Sequence, residues 1–421
     1  MHDVLAREEA ALSQPPSLLF SAASVFAPPN GGDAPFLKSA RWSPCGSALL
    51  TLSDDDAVRV FDVPEAALTC EPEAPQRREN DSGRGAFDAV TTPAASLPAS
   101  FALADSLVAA LRVRPGEGCH DAAWWPGASS AQPHTLVFAT TSRSLPLHVW
   151  SAIDGALRCS FVAYDAADAP TSAACLAFSP DGGSLLGGYS KAVLAFDVAR
   201  PGRDAAWRAP VSGLVLSLAA SPDATLFAAG CSSSRVVLLD ARCAGSPVAE
   251  LGGHGGGVTH ARFSACGSYL YTGARRDDRI LCWDVRSLGH GAVAALARPG
   301  DTNQRLGFSV HSSGRFLAAG GTDGRVRTFD LRCGAEVEAA GWRAGGAPVG
   351  WAEWHPFARL LATATGTRCF EARGCGGEGG GRAADSEDSE GDRGEGEGGA
   401  RTEEAARPER GALRVWRWPA G

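Results

Sequence analysis

At 421 residues with 44% hydrophobic content the chain can bury a large core, and its length alone would admit two or three domains. The net charge of −8 is lopsided: residues 374–410 hold eleven acidic and five basic residues and carry −6 of it, so the near-neutral remainder neither supports nor excludes a nucleic-acid partner. No apolar run reaches membrane-spanning length, and the first sixteen residues carry acids and lack the apolar stretch of a signal peptide, so neither a membrane span nor secretion is expected.

In chain order, residues 1–16 read as a disordered tail. The run 17–26, SLLFSAASVF, is β-like and bounded by Pro15-Pro16 and Pro28-Pro29. An isolated strand is unstable, so it needs a sheet to join. From residue 37 a unit of three short apolar runs begins: 37–43, 48–52 and 58–63, with a turn at Pro44-Cys45-Gly46 and an acidic turn at Asp54-Asp55-Asp56. Residues 65–106 lose all periodicity and read as a disordered insertion. A second unit resumes near 108–113 and 121–125, then 136–140 and 146–150. The third has 174–179, 184–188 and 192–198, and the fourth 215–220, 226–230 and 235–240.

The fifth unit is the most complete. Gly253-His254 opens it, the runs 258–263, 269–272 and 280–283 follow, and Trp283-Asp284 closes it. A Gly-His start and a Trp-Asp end at a period of about 40–45 residues are the marks of a WD repeat. His254 is expected to bond a buried acid in the turn between the second and third strands, Asp277 or Asp278, while Trp283 packs between sheets next to Asp284. The sixth unit has 307–311, 316–320 and 326–330; the seventh has 349–355, 360–364 and, after a Gly/Glu-rich insertion at 371–411, 412–418. One equivalent position per unit, at Phe178, Ala220, Phe263, Val310 and Trp354, advances by 42, 43, 47 and 44 residues. The fold expected is all-β, a seven-bladed WD-repeat β-propeller with disordered insertions over 17–420, and 17–26 is the strand that closes the ring.

Chemistry-bearing signals are sparse. There is no phosphate-binding Gly-rich loop with Lys, no G-x-S-x-G, no H-E-x-x-H and no paired-carboxylate motif, so no catalysis, metal or cofactor is expected. The twelve cysteines show no C-x-x-C pair or zinc spacing and read as reduced, mostly buried thiols; no bridge between Cys369 and Cys375 is expected. Ser386 and Ser389, set among acids, fit an acid-directed kinase, although a passive solvated loop fits them better. Of 39 basic residues only Lys38 and Lys191 are lysines, which a GC-rich coding sequence explains better than a function does.

Two strings are not demanded by blade packing, ARPGRD at 199–204 and TNQR at 302–305, and they stand beside LGGHGGGVTH at 251–260, SSAQPHT at 129–135 and SFVAY at 160–164. With Phe36-Leu37-Lys38 before Trp42-Ser43-Pro44 and LLATA at 360–364, they resemble the telomerase Cajal body protein family from about 36 to 366. That resemblance implies a non-enzymatic RNA-binding scaffold in the nucleus. Such a scaffold recognises the Cajal body box of H/ACA small Cajal body RNAs and telomerase RNA. It directs those particles to Cajal bodies beside the H/ACA ribonucleoprotein core proteins, in support of telomerase assembly and telomere maintenance. A monomer is expected. The long N-terminal region common in the family is nearly missing here, and the first insertion is unlike the family's.

RNA loops present unstacked bases to guanidinium planes, aromatics and amides. The candidate contacts are Arg275 and Arg276 in a turn between second and third strands, and Arg305 with Asn303 and Gln304 before a first strand. His260 and Arg143 come next, with His260 serving equally well as a hydrogen-bonding residue inside its blade. Both loop classes leave a propeller on one face. Arg200 and Arg203 follow a third strand and should face the other side. Two rival readings stand beside this one. Trp283-Asp284-Val285-Arg286, with Phe329-Asp330-Leu331-Arg332 as a weaker copy, matches a W-D-x-R box by which substrate receptors dock on cullin-type ubiquitin ligases. A generic protein–protein interaction hub is the other.

Overall fold

The computed structural model describes residues 15–26, 35–64, 68, 107–165, 167–337, 341–367 and 411–418. Blade five shows how the repeat folds. Val258–Phe263, Tyr269–Ala274, Arg279–Asp284 and Ala294–Ala297 pair antiparallel in that order. In the middle strand every residue after Tyr269 is buried, on both faces of the sheet. A blade is sandwiched between two neighbours, so its central strands read as continuous apolar runs rather than alternating ones. The turn between the first two strands is set by Gly267 at φ 72 and by Ser264, whose Oγ accepts from the Tyr269 N–H at 3.0 Å. Blades one, three and four use the same device, with Ser43, Ser179 and Ser221 accepting from the N–H five residues on.

The position used to find the repeat is structurally equivalent in all seven blades. Trp42, Trp124, Phe178, Ala220, Phe263, Val310 and Trp354 each pair with a large apolar residue of the next strand: Leu49, Phe138, Leu185, Phe227, Leu270, Leu317 and Leu361. The blades nevertheless lie in six large sheets, because blades three and four are one six-stranded sheet. Strand Ala205–Ala220 joins them: its first part is the outer strand of blade three, and from Val215 it is the inner strand of blade four.

The ring is closed by Ser17–Ser21, which pairs antiparallel with Leu413–Arg417 of blade seven. The strand ends there, earlier than residue 26. Ala23–Phe26 is a single 3-10 turn that drives Phe26 into the seam between blades seven and one, 6.0 Å from Phe61 and beneath the Arg59 guanidinium. The core cluster at this seam joins Phe26, Trp42 and Phe61 to Trp351, Leu360 and Val415. Burying aromatics of this size contributes on the order of 2–3 kcal/mol each, which is how a short N-terminal strand can hold a ring shut.

One strand belongs elsewhere than the sequence suggested. Ala109–Val113 pairs with Val58–Asp62 and is the outer strand of blade one, while blade two starts at Asp121–Trp124. The stretch 65–106 therefore interrupts blade one between its third and fourth strands. Apart from Leu68 that stretch lies outside the described residues, as do 371–410 with Ser386, Ser389 and Cys375, and also Cys369. Nine described cysteines are free; four are buried and three are exposed. Among the described residues no helix is long and apolar enough to cross a membrane, and no group of three or more His, Cys, Asp or Glu is placed to hold a metal.

Candidate nucleic-acid interface

The interior of blade five fixes the geometry of its upper turn. His254 Nδ1 lies 2.8 Å from Asp277 Oδ2 and Nε2 lies 2.7 Å from Thr272 Oγ1. The Trp283 indole N–H donates to the same Thr272 oxygen at 2.8 Å. One proton arrangement satisfies every group: His254 donates from Nδ1 to Asp277, Thr272 donates to Nε2, and Trp283 donates to Thr272. It requires a neutral imidazole, and burial does depress the His254 pKa despite the opposing pull of Asp277. Burial would raise the Asp277 pKa, but bonds from His254, Gly255 and Arg279 hold it below the usual carboxylate value. Of the two acids offered by the sequence, Asp277 is the interior partner. Asp278 points outward and its Oδ1 accepts from the Gly300 N–H at 2.7 Å, tying the next loop to this turn. Thr272, the hub of the network, carried no signal beyond its place before Gly273.

This turn and the TNQR loop meet. The Arg276 N–H donates to the Thr302 carbonyl at 3.0 Å, and the Arg275 N–H to the Gly257 carbonyl at 2.9 Å. Arg276 sits at φ 49, a left-handed conformation that costs a non-glycine residue about 1 kcal/mol and is held here by the Thr302 bond. A Cβ on Gly256 would come within 2.3 Å of the Arg275 carbonyl oxygen, so glycine is required for this close approach. Arg275, Arg276 and Asn303 are exposed and Gln304 is half-buried. Arg143 is exposed in the corresponding turn of blade two. Neither Arg143 nor Arg275 nor Arg276 forms an ion pair among the described residues.

Two expected contacts lie elsewhere. His260 is 7% exposed; its Nε2 donates to the Phe308 carbonyl at 3.0 Å and its ring sits edge-on to Phe308 and Trp351. Burial, then Arg41, Arg305 and Arg262, push its pKa well below the ordinary value, so it is a neutral blade-packing residue and is off the rim. Arg305 turns into the central channel, where it bonds the Leu216 carbonyl at 2.8 Å and approaches Asp121 to 3.2 Å. Its charge is spent there.

The channel holds polar residues that the sequence reading missed. Asp121 also pairs with Arg41 at 3.0 Å, and Glu353 pairs with Arg262 at 2.9 Å while accepting from the Trp351 indole at 2.9 Å. These struts cross between blades around a cavity of ≈ 300 Å³, and a second cavity of ≈ 550 Å³ opens below it. The only hint in sequence is a charged residue inside an otherwise apolar first strand.

The lower rim also carries arginines, and several of them are paired. Arg242 bonds Asp240 and Arg286 bonds Asp284, both at 2.8 Å, and Arg203 bonds Asp168 at 3.1 Å while lying over Tyr164. The ARPGRD loop is structural: Gly202 exchanges backbone hydrogen bonds with Ser160 and Val162 of blade two's outer strand.

Residues 245–284 and 285–330 match WD40, the WD domain, G-beta repeat family. With seven repeated blades and a satisfied His-Asp-Thr-Trp network, the class is a WD-repeat β-propeller. The chain is 37% identical over 351 residues to Telomerase Cajal body protein 1 of Mus musculus and 36% over 345 residues to that of Homo sapiens, each match covering 80% of this chain. It is 33% identical over 305 residues to the Drosophila melanogaster homolog, which covers 70% of this chain. The matched part spans 59% of the mouse protein's length, so the rest of that protein has no counterpart in the comparison. On these grounds the propeller belongs to the telomerase Cajal body protein family.

Proposed function

We propose that this chain is a non-enzymatic scaffold that binds RNA on its upper rim. It recognises the Cajal body box of H/ACA small Cajal body RNAs and of telomerase RNA, and it directs those particles to Cajal bodies in the nucleus beside the H/ACA core proteins. The observation that supports this most is the upper rim between blades five and six. There two exposed arginines, with no ion pair among the described residues, and the amides of Asn303 and Gln304 are locked into one surface by the Arg276–Thr302 bond. Guanidinium planes and side-chain amides on rigid loops suit unstacked loop bases. The names of the relatives supply the class of particle.

The W-D-x-R reading has less behind it. Arg286 donates from both N–H and Nε to Asp284, and Arg242 makes the same contacts with Asp240 one blade earlier, so the box is a turn-closing device that recurs. Crosslinking, purification and sequencing of bound RNA tests the proposal. Recovery of box-bearing H/ACA RNAs is the expected result. Ligase adaptor subunits without RNA would favour the ubiquitin-ligase reading, and proteins of an unrelated pathway alone would favour a hub.

A further inference from the structure

The entry into blade two is held by groups from blades one, two and six. Lys38 of blade one donates its ammonium to the Cys119 carbonyl at 3.0 Å. Arg143, in the upper turn of blade two, donates its N–H to the Glu117 and Gly118 carbonyls at 3.1 and 3.2 Å. Arg305 reaches Asp121 from blade six. His120 sits in the middle of this segment, its backbone fixed by a 2.8 Å bond to the Thr141 carbonyl. Its side chain is exposed at the channel mouth, and among the described residues the ring has no hydrogen-bond partner.

We infer that 117–121 forms a phosphodiester-binding subsite on the side of the channel mouth away from Arg275 and Arg276, with His120 as its titrating contact, Arg143 as its available cation and Lys38, shared with Asp54 and Asp56, behind them. The inference rests on the RNA reading above and gives the RNA backbone a course across the channel mouth. Other charges near the ring are accounted for. Asp121 lies beneath it, shared between Arg41 and Arg305; Asp56 accepts from the Cys119 N–H at 3.0 Å and, with Asp54, faces Lys38; Glu117 is exposed. The His120 pKa is lowered by loss of surrounding water, then by Lys38, Arg143 and Arg305, with Asp121 opposing. A phosphate placed there would offset those cations and raise the pKa. Binding would then take up a proton, and affinity must rise as pH falls through the bound-state pKa.

The experiment measures the affinity of the protein for a box-bearing H/ACA hairpin RNA from pH 8 to pH 5.5. Affinity of the unmodified protein should tighten about three- to tenfold, His120→Gln should be flat within about twofold, and Arg275→Glu with Arg276→Glu should bind more weakly at every pH but keep the slope. A flat unmodified protein, or a slope retained in His120→Gln, overturns the subsite and leaves the RNA reading intact. In a second arm, the His120 ring resonances are titrated with and without pyrophosphate; an upward shift of the midpoint supports the subsite independently of RNA, and an unmoved midpoint overturns it. Absence of hairpin binding at any pH, with the pyrophosphate shift present, would overturn the RNA reading and assign the pocket to a free phosphate compound.

Discussion

On the lower rim Arg242 and Arg286 each close on an aspartate two residues earlier at 2.8 Å, whereas on the upper rim Arg143, Arg275 and Arg276 face solvent with no ion pair among the described residues. The residue type is the same and the blade scaffold is the same. What differs is the neighbour: Asp240 and Asp284 each neutralise the arginine two residues on, while the Arg275–Arg276 turn spends its acids on other tasks. Asp277 is used by His254 inside the blade and Asp278 by the Gly300 N–H. A chain of net charge −8 can therefore still offer a cationic surface, because availability depends on pairing rather than on the total.

The contrast can be broken most severely at Asp277. Asp277→Ala strands His254, Gly255 and Arg279 together, and urea denaturation should show a loss of about 3–5 kcal/mol. Asp278→Ala, one residue on, should cost no more than about 1 kcal/mol. Equal losses at the two positions would mean that the interior network is not what holds the turn.

Acid provides a second test, on a turn where upper-face charge is paired. In blade one Asp55 meets Arg59 at 2.5 Å and Arg112 at 3.0 Å. Burial would raise its pKa, but bonds from Arg59 and Ser53 and the charge of both arginines bring it down to about 2. A depressed folded-state pKa gives stability that is present above the unfolded value of 3.8 and is lost as pH falls towards 2. That loss should be about 2 kcal/mol, and Asp55→Asn should remove this part of the acid limb from a stability-versus-pH curve. The smallest effect is expected below. Asp284→Asn frees the Arg286 guanidinium on the lower rim, yet hairpin RNA affinity should change by less than about twofold, because one free cation without the amides of Asn303 and Gln304 is not a reader.

Much of this architecture was legible locally. The Gly-His and Trp-Asp ends of blade five, the Ser-Pro turns at Ser43, Ser179 and Ser221 and the spacing of Phe178, Ala220, Phe263, Val310 and Trp354 are all set by residues close in sequence, and the blades follow them. The strand Ala109–Val113 was misplaced because an insertion separates it from the blade it completes. The sequence leaves His260 open between the rim and the blade interior and places Arg305 on the rim, because the direction of a side chain near the channel depends on closure of the whole ring. Arg305 meets Leu216 of blade four and Asp121 of blade two, neither of them a sequence neighbour. Arg275 and Arg276 could be located from the sequence, but their lack of partners is visible only when every nearby acid has been assigned.

The most direct test of an RNA-binding upper rim is to reverse arginines on each rim and follow hairpin RNA affinity across a salt series. Arg275→Glu with Arg276→Glu should weaken binding at least about tenfold at physiological salt and reduce the slope of log affinity against log salt by about 1–2, with the melting temperature unchanged. Arg242→Glu with Arg286→Glu should leave affinity within about twofold and the slope intact. Equal losses from the two rims, or a larger loss from the lower one, would contradict the account.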